Sequence, residues 1–136
     1  MKILMALLTL FSLSTIACPD LNGTYKCSDE EQSYDMIIVQ KGTSFSITDD
    51  EGEEVLTADG QAYDYQSDNF KGEKAAICQN GSLIFEMVGN ITEEGQQIPI
   101  ALHGAFEQTS TGIKIVVNFL TTENTFSSET SCTKVK

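Results

Sequence analysis

The chain has no tryptophan and no arginine, and it carries one histidine and two prolines in 136 residues. Without arginine it lacks the planar fork that best grips carboxylates and phosphates. Lysine is scarce too. Beyond residue 17 there are 7 lysines against 20 carboxylates, a formal charge of −13. Nucleic-acid binding draws on Lys and Arg to neutralise phosphates, so this balance argues against it. An anionic membrane surface is disfavoured for the same reason. Like-charge repulsion instead keeps such a chain soluble, and the expectation is a monomer. A single histidine leaves little room for acid–base catalysis. No apolar run approaches the roughly 20 residues that a spanning helix needs, so no transmembrane segment is expected.

One apolar run is informative. Met1-Lys2 is followed by Ile3 to Leu13 and then by Ser14-Thr15-Ile16-Ala17. One positive charge, an apolar region of about ten residues and small residues at Thr15 and Ala17 describe a signal peptide cut after Ala17. The expected mature domain is therefore residues 18–136, a single unit exported to the periplasm or secreted. The alternative is a lipoprotein acylated at Cys18. Thr15 stands where such proteins usually carry a larger aliphatic, and acylation would leave three cysteines, an odd number for an exported chain.

What is abundant is turn punctuation. Lys41-Gly42, Glu51-Gly52, Asp59-Gly60, Lys71-Gly72, Asn80-Gly81, Glu94-Gly95, Thr111-Gly112 and Glu123-Asn124 recur at short intervals. Between them lie stretches rich in Val, Ile, Thr, Tyr and Phe, which suit a pleated surface. Leu83, Phe85, Met87 and Ile91 alternate with Ser82, Glu86 and Asn90. Ile98, Ile100, Leu102 and Phe106 stand opposite His103 and Glu107, and Ile113, Ile115, Val117 and Phe119 alternate against Lys114 and Asn118. Phe45 and Ile47 do the same against Ser44, Ser46 and Thr48. Period two over so many residues means strands with one buried face. Met36 to Val39 is continuously apolar and reads as a strand covered on both faces.

These patterns predict strands near 24–27, 34–40, 43–49, 54–58, 61–66, 73–79, 82–91, 97–108, 113–121 and 125–134. A short helix is expected at Ser28–Gln32, where Ser28 and Glu31 match a capping box. The fold class is all-β, an up-and-down antiparallel meander of eight to ten strands. Closing the meander removes its edges, so a small barrel is expected, with a β-sandwich as the alternative.

Cys18, Cys27, Cys78 and Cys132 suggest two disulfides, for which three connectivities exist. If Asn22-Gly23 makes a type I′ hairpin, Cys18 falls opposite Cys27, and Cys78 pairs with Cys132. If Leu21 to Cys27 is one extended strand, Cys18 and Cys27 lie roughly 30 Å apart, at about 3.3 Å per residue. Cys18–Cys132 with Cys27–Cys78 then follows. The hairpin is the stronger local signal.

Gly23-Thr24-Tyr25, leading into the first strand of the meander, resembles the Gly-x-Trp start of lipocalins. The run from Cys18 to Cys27 also looks like the start of small exported bacterial proteins. The lipocalin resemblance implies an eight-stranded barrel whose open mouth accepts a small apolar ligand. Tyr25 stands where lipocalins have tryptophan, and only Lys134 or Lys136 could replace the arginine they pack across it.

Candidate chemistry is thin. His103 lies off the apolar face and has no Gly-x-Ser-x-Gly companion, so no catalytic residue is assigned. The cysteines form no Cys-x-x-Cys pair, so neither a zinc site nor a redox motif is indicated. Asp49-Asp50-Glu51-Gly52-Glu53-Glu54 is the densest acidic run. Its spacing fails the EF-hand pattern, and a solvated hairpin tip is its ordinary reading, so no metal and no cofactor is expected. Tyr25, Phe45, Tyr65, Phe85, Phe106 and Phe119 either line a ligand cavity or fill the core. The expected function is a non-enzymatic exported barrel holding a small apolar ligand. The alternative is a protein-interaction or inhibitor module that acts through its loops and has a filled core.

Overall fold

The computed structural model describes residues 18–135. The expected signal peptide, residues 1–17, lies outside the described residues. Ten strands follow one another: β1 Gly23–Ser28, β2 Ser33–Lys41, β3 Ser44–Asp49, β4 Gly52–Thr57, β5 Tyr63–Gln66, β6 Phe70–Gln79, β7 Ser82–Glu93, β8 Gln96–Gln108, β9 Gly112–Thr121 and β10 Thr125–Lys134. All pairings are antiparallel, in the order β4-β3-β2-β1-β10-β9-β8-β7-β6-β5. The sheet is a meander in which the first and last strands also pair. Among the described residues, the main-chain ladder is interrupted only between β4 and β5. The sheet curls strongly into a half-barrel, bringing β4 against β6.

The turn chemistry explains the hairpins. Asn80 and Gly81 have φ of 53° and 77°, and Glu94 and Gly95 have 50° and 78°. Two successive positive φ angles define the type I′ turn, whose twist matches that of the flanking strands. Lys71-Gly72 is not a turn. Gly72 lies inside β6, directly opposite Gly89 of β7. A Cβ on Gly72 would come within 2.2 Å of the Val88 carbonyl oxygen, so the close approach of the two backbones requires glycine.

The core sits inside the curl. Tyr25, Met36, Ile38, Phe45, Leu56, Cys78, Leu83, Phe106 and Ile113 are buried together, and no polar side chain is buried among the described residues. The apolar phases of β7, β8 and β9 face this interior as the alternation requires. Met36 to Val39 departs from expectation. Met36 and Ile38 are buried, whereas Ile37 and Val39 are exposed on the outer face. Among the described residues nothing covers the convex side of β2, so its apolar run is one-sided.

The helix expected at Ser28–Gln32 is a turn. Asp29 Oδ1 accepts hydrogen bonds from the main-chain N–H groups of Glu31 and Gln32, and Asp29 N–H donates to the Gln32 carbonyl. Tight β1–β2 pairing leaves four residues between the strands, too few for a helix.

The Asn22-Gly23 hairpin is also absent. Asn22 does not have the positive φ that a type I′ turn needs, and β1 starts at Gly23. Asn22 Oδ1 accepts from Gln40 N–H, and Leu21 N–H donates to Gln40 Oε1, so this segment is stitched to β2. Both disulfide patterns weighed from the sequence are overturned. Cys18 bonds Cys78, and Cys27 bonds Cys132. Cys27 and Cys132 are direct partners in the β1–β10 ladder, a pairing that no local signal announces. Cys18 anchors the chain before β1 to β6. A sulfur so occupied cannot carry the thioether of a lipoprotein, so the alternative of acylated Cys18 falls.

Two disulfides fit an exported, oxidising location. Among the described residues, no helix is long and apolar enough to cross a membrane.

Candidate functional site

The interruption between β4 and β5 is where the fold leaves main-chain groups without strand partners. Lys74, on β6, faces inward between Gly72 and Ala76. Its Nζ donates to the Val55 carbonyl at 2.7 Å and pairs with Glu54 Oε1 at 2.8 Å. It also lies 4.9 Å from the centre of the Tyr65 ring. Its side chain is largely buried here, so the ion pair is better shielded than an ordinary surface pair.

The Val55 contact fixes the orientation of β4. In an antiparallel strand, one residue's N–H and C=O point to the same side, and successive residues alternate. Val55 therefore aims its main chain away from β3, as do Glu53 and Thr57. Ala58 N–H bonds the Thr43 carbonyl, which is the opposite phase, as required. Side chains alternate in the other sense. Leu56 is 3% exposed and points into the core, while Val55 is 40% exposed and points out.

Two grooves flank the Lys74–Glu54 bridge. One, of about 210 Å³, is walled by Val55, Leu56, Thr57, Tyr63 and Ala76 and is mostly apolar. The other, of about 260 Å³, is walled by Ile47, Asp49, Glu51, Glu53, Glu54 and Tyr65 and is polar. Carboxylates dominate the second groove. Burial pushes the Tyr65 hydroxyl above its ordinary pKa, and the Glu54 charge beside it adds to that. The Tyr63 hydroxyl donates to Asp59 Oδ2, and this bond with the Gln61 N–H holds the Asp59 carboxyl below its usual range.

No protein-family model and no curated protein matches this chain.

The six candidate aromatics are not gathered around one space. Tyr25, Phe45 and Phe106 are buried core residues. Tyr25 donates its hydroxyl to the Leu21 carbonyl at 2.8 Å, and burial raises its pKa. Phe85 packs on Phe106 with ring centres 5.6 Å apart, covering Gly104. Phe119 lies further along the sheet against exposed Phe126. Tyr65 stands at the seam and lines the polar groove there.

His103 is exposed on the outer face, as its strand phase requires. Its Nδ1 lies 3.2 Å from Glu86 Oε1, and no serine hydroxyl is hydrogen-bonded to it among the described residues. The next residues along that row, Asn118 and Ser127, bond to each other. Asp49 to Glu54 form the end of the β3–β4 hairpin. Among the described residues, no three His, Cys, Asp or Glu side chains are gathered to hold a metal.

The seam was not legible from the residue pattern. Its traces are Lys74 and Glu54, charged residues in the inward phases of β6 and β4. The β6 phase is visible once Phe70, Ala76 and Cys78 are known to point inward.

Proposed function

We propose that this protein is an exported, non-enzymatic binding module that engages another protein through its surface around a filled core. One observation carries the reading. Tyr25, Phe45 and Phe106, which a hollow barrel would turn toward its ligand, are 2%, 0% and 5% exposed and pack against one another's neighbours. Small-molecule sites are concave, enclosed and mostly apolar. The clefts of this domain are open to solvent, and the larger ones, of about 500 and 580 Å³, are lined chiefly by Asp, Glu, Ser and Lys. That surface offers little to an apolar ligand of the lipocalin kind. The acidic charge and the two disulfides suit a stable protein working in the periplasm or beyond the cell.

The test is native mass spectrometry of protein purified from its own host. A protein chain bound at a fixed ratio supports the module. A small apolar molecule bound at one copy per chain overturns it in favour of a ligand carrier.

A further inference from the structure

We infer that the open edge of β4 is a strand-addition site for an extended, lysine-bearing segment of another protein. The inference rests on the reading of the domain as a protein-binding module and names its partner's chemistry. Glu53, Val55 and Thr57 direct their N–H and C=O groups to an edge that no strand among the described residues occupies. Among the described residues, the only bond made there is from Lys74 Nζ to the Val55 carbonyl. A row of alternating donors and acceptors along an edge is recognised by another extended main chain.

The charges select the occupant. Asp49, Asp50, Glu51, Glu53 and Glu54 flank this edge on one hairpin. A second copy of the chain, paired edge to edge, would set these carboxylates against their own kind, which is unfavourable. A segment with lysines at alternate positions meets them with opposite charge. Lys74 shows the chemistry that the edge accepts: an ammonium held between a β4 carbonyl and the Glu54 carboxylate. An incoming strand takes the Val55 carbonyl with its main chain, and its lysine takes Glu54. The seam then parts by up to one strand spacing, about 4.8 Å. β4 and β6 share no ladder, so what resists is side-chain contact and the single main-chain bond from Gly60 N–H to the Ala76 carbonyl.

The experiment uses the oxidised domain, residues 18–136, and a ten-residue peptide alternating lysine and valine. Amide hydrogen exchange is followed by NMR. The Glu53, Val55 and Thr57 amides should slow by about tenfold or more on saturation. A peptide with glutamate in place of lysine should leave them unchanged. Val55→Pro should abolish the effect while preserving the fold, since its N–H faces the edge and proline is tolerated there. Absence of peptide binding, binding without protection of these three amides, or equal binding of the glutamate peptide would overturn the inference. A native protein partner that cross-links elsewhere defeats the β4 site and leaves the module intact, whereas a bound apolar ligand defeats the module itself.

Discussion

Cys27 and Cys132 face each other as direct partners in the β1–β10 ladder, Cα atoms 3.9 Å apart, and a disulfide joins them across 105 residues of sequence. The first and last strands are thus fastened twice, by the ladder and by sulfur. Cys18–Cys78 spans 60 residues and fastens the segment before β1 to β6. Replacing Cys27 and Cys132 together with alanine should cost about 2–4 kcal/mol, because the unfolded chain regains the entropy of a long open loop. Urea unfolding of the variant and the parent checks this. A loss below about 1 kcal/mol would show that the ladder alone holds β1 to β10.

The glycines of the curled sheet are not equivalent. At Gly72 a methyl group meets the Val88 carbonyl, and at Gly89 it meets the Lys71 carbonyl. At Gly104 it meets the Phe85 ring, a side chain that can turn aside. Gly72→Ala should therefore destabilise more than Gly104→Ala, the first by more than about 2 kcal/mol and the second by about 1–3 kcal/mol. Thermal unfolding of the pair ranks them, and the reverse order would refute the close approach of β6 and β7.

The six aromatics divide by burial. Phe45→Ala and Phe106→Ala should each cost about 3–5 kcal/mol, as deletions from a filled core do. Phe119→Ala and Tyr65→Ala should cost roughly half as much or less, since both keep solvent contact. Tyr25→Phe, which removes only the bond to the Leu21 carbonyl, should cost about 1 kcal/mol. Denaturant midpoints measure all five. Equal, small losses throughout would mean a hollow interior.

Acid sensitivity should be visible at Asp59. Hydrogen bonds from Tyr63 and the Gln61 N–H depress its folded pKa, so its contribution is present above the unfolded value, near 3.9, and is lost as pH falls through the lower folded value. Tyr63→Phe should raise the Asp59 pKa toward normal. Carboxyl-carbon NMR titration reads the shift directly, and an unmoved Asp59 would remove the Tyr63 bond from consideration.

Much of the architecture was legible because alternation is local. Leu83, Phe85 and Met87, or Ile113, Ile115 and Val117, declare which side faces inward without reference to any other strand. Type I′ signals such as Asn80-Gly81 are equally local. The same signal misled at Asn22-Gly23, where the main-chain N–H of Gln40, 18 residues away, donates to Asn22 Oδ1. The capping box at Ser28 failed because β1 pairs with β2 before a helical turn can form. Ile37 and Val39 look buried in sequence, yet their burial depends on whether anything lies over that face of the sheet.

The amino-acid sequence by itself determined the all-β meander, the strand positions and the inward phase of β7, β8 and β9, because each follows from side-chain periodicity and turn residues a few positions apart. Only the tertiary structure decided which cysteines bond, that β1 pairs with β10, and that the ladder breaks between β4 and β5. Those outcomes depend on strand curl and on contacts between residues far apart in the chain, which no local pattern encodes. The open β4 edge with Lys74 on Val55 is a product of that global geometry.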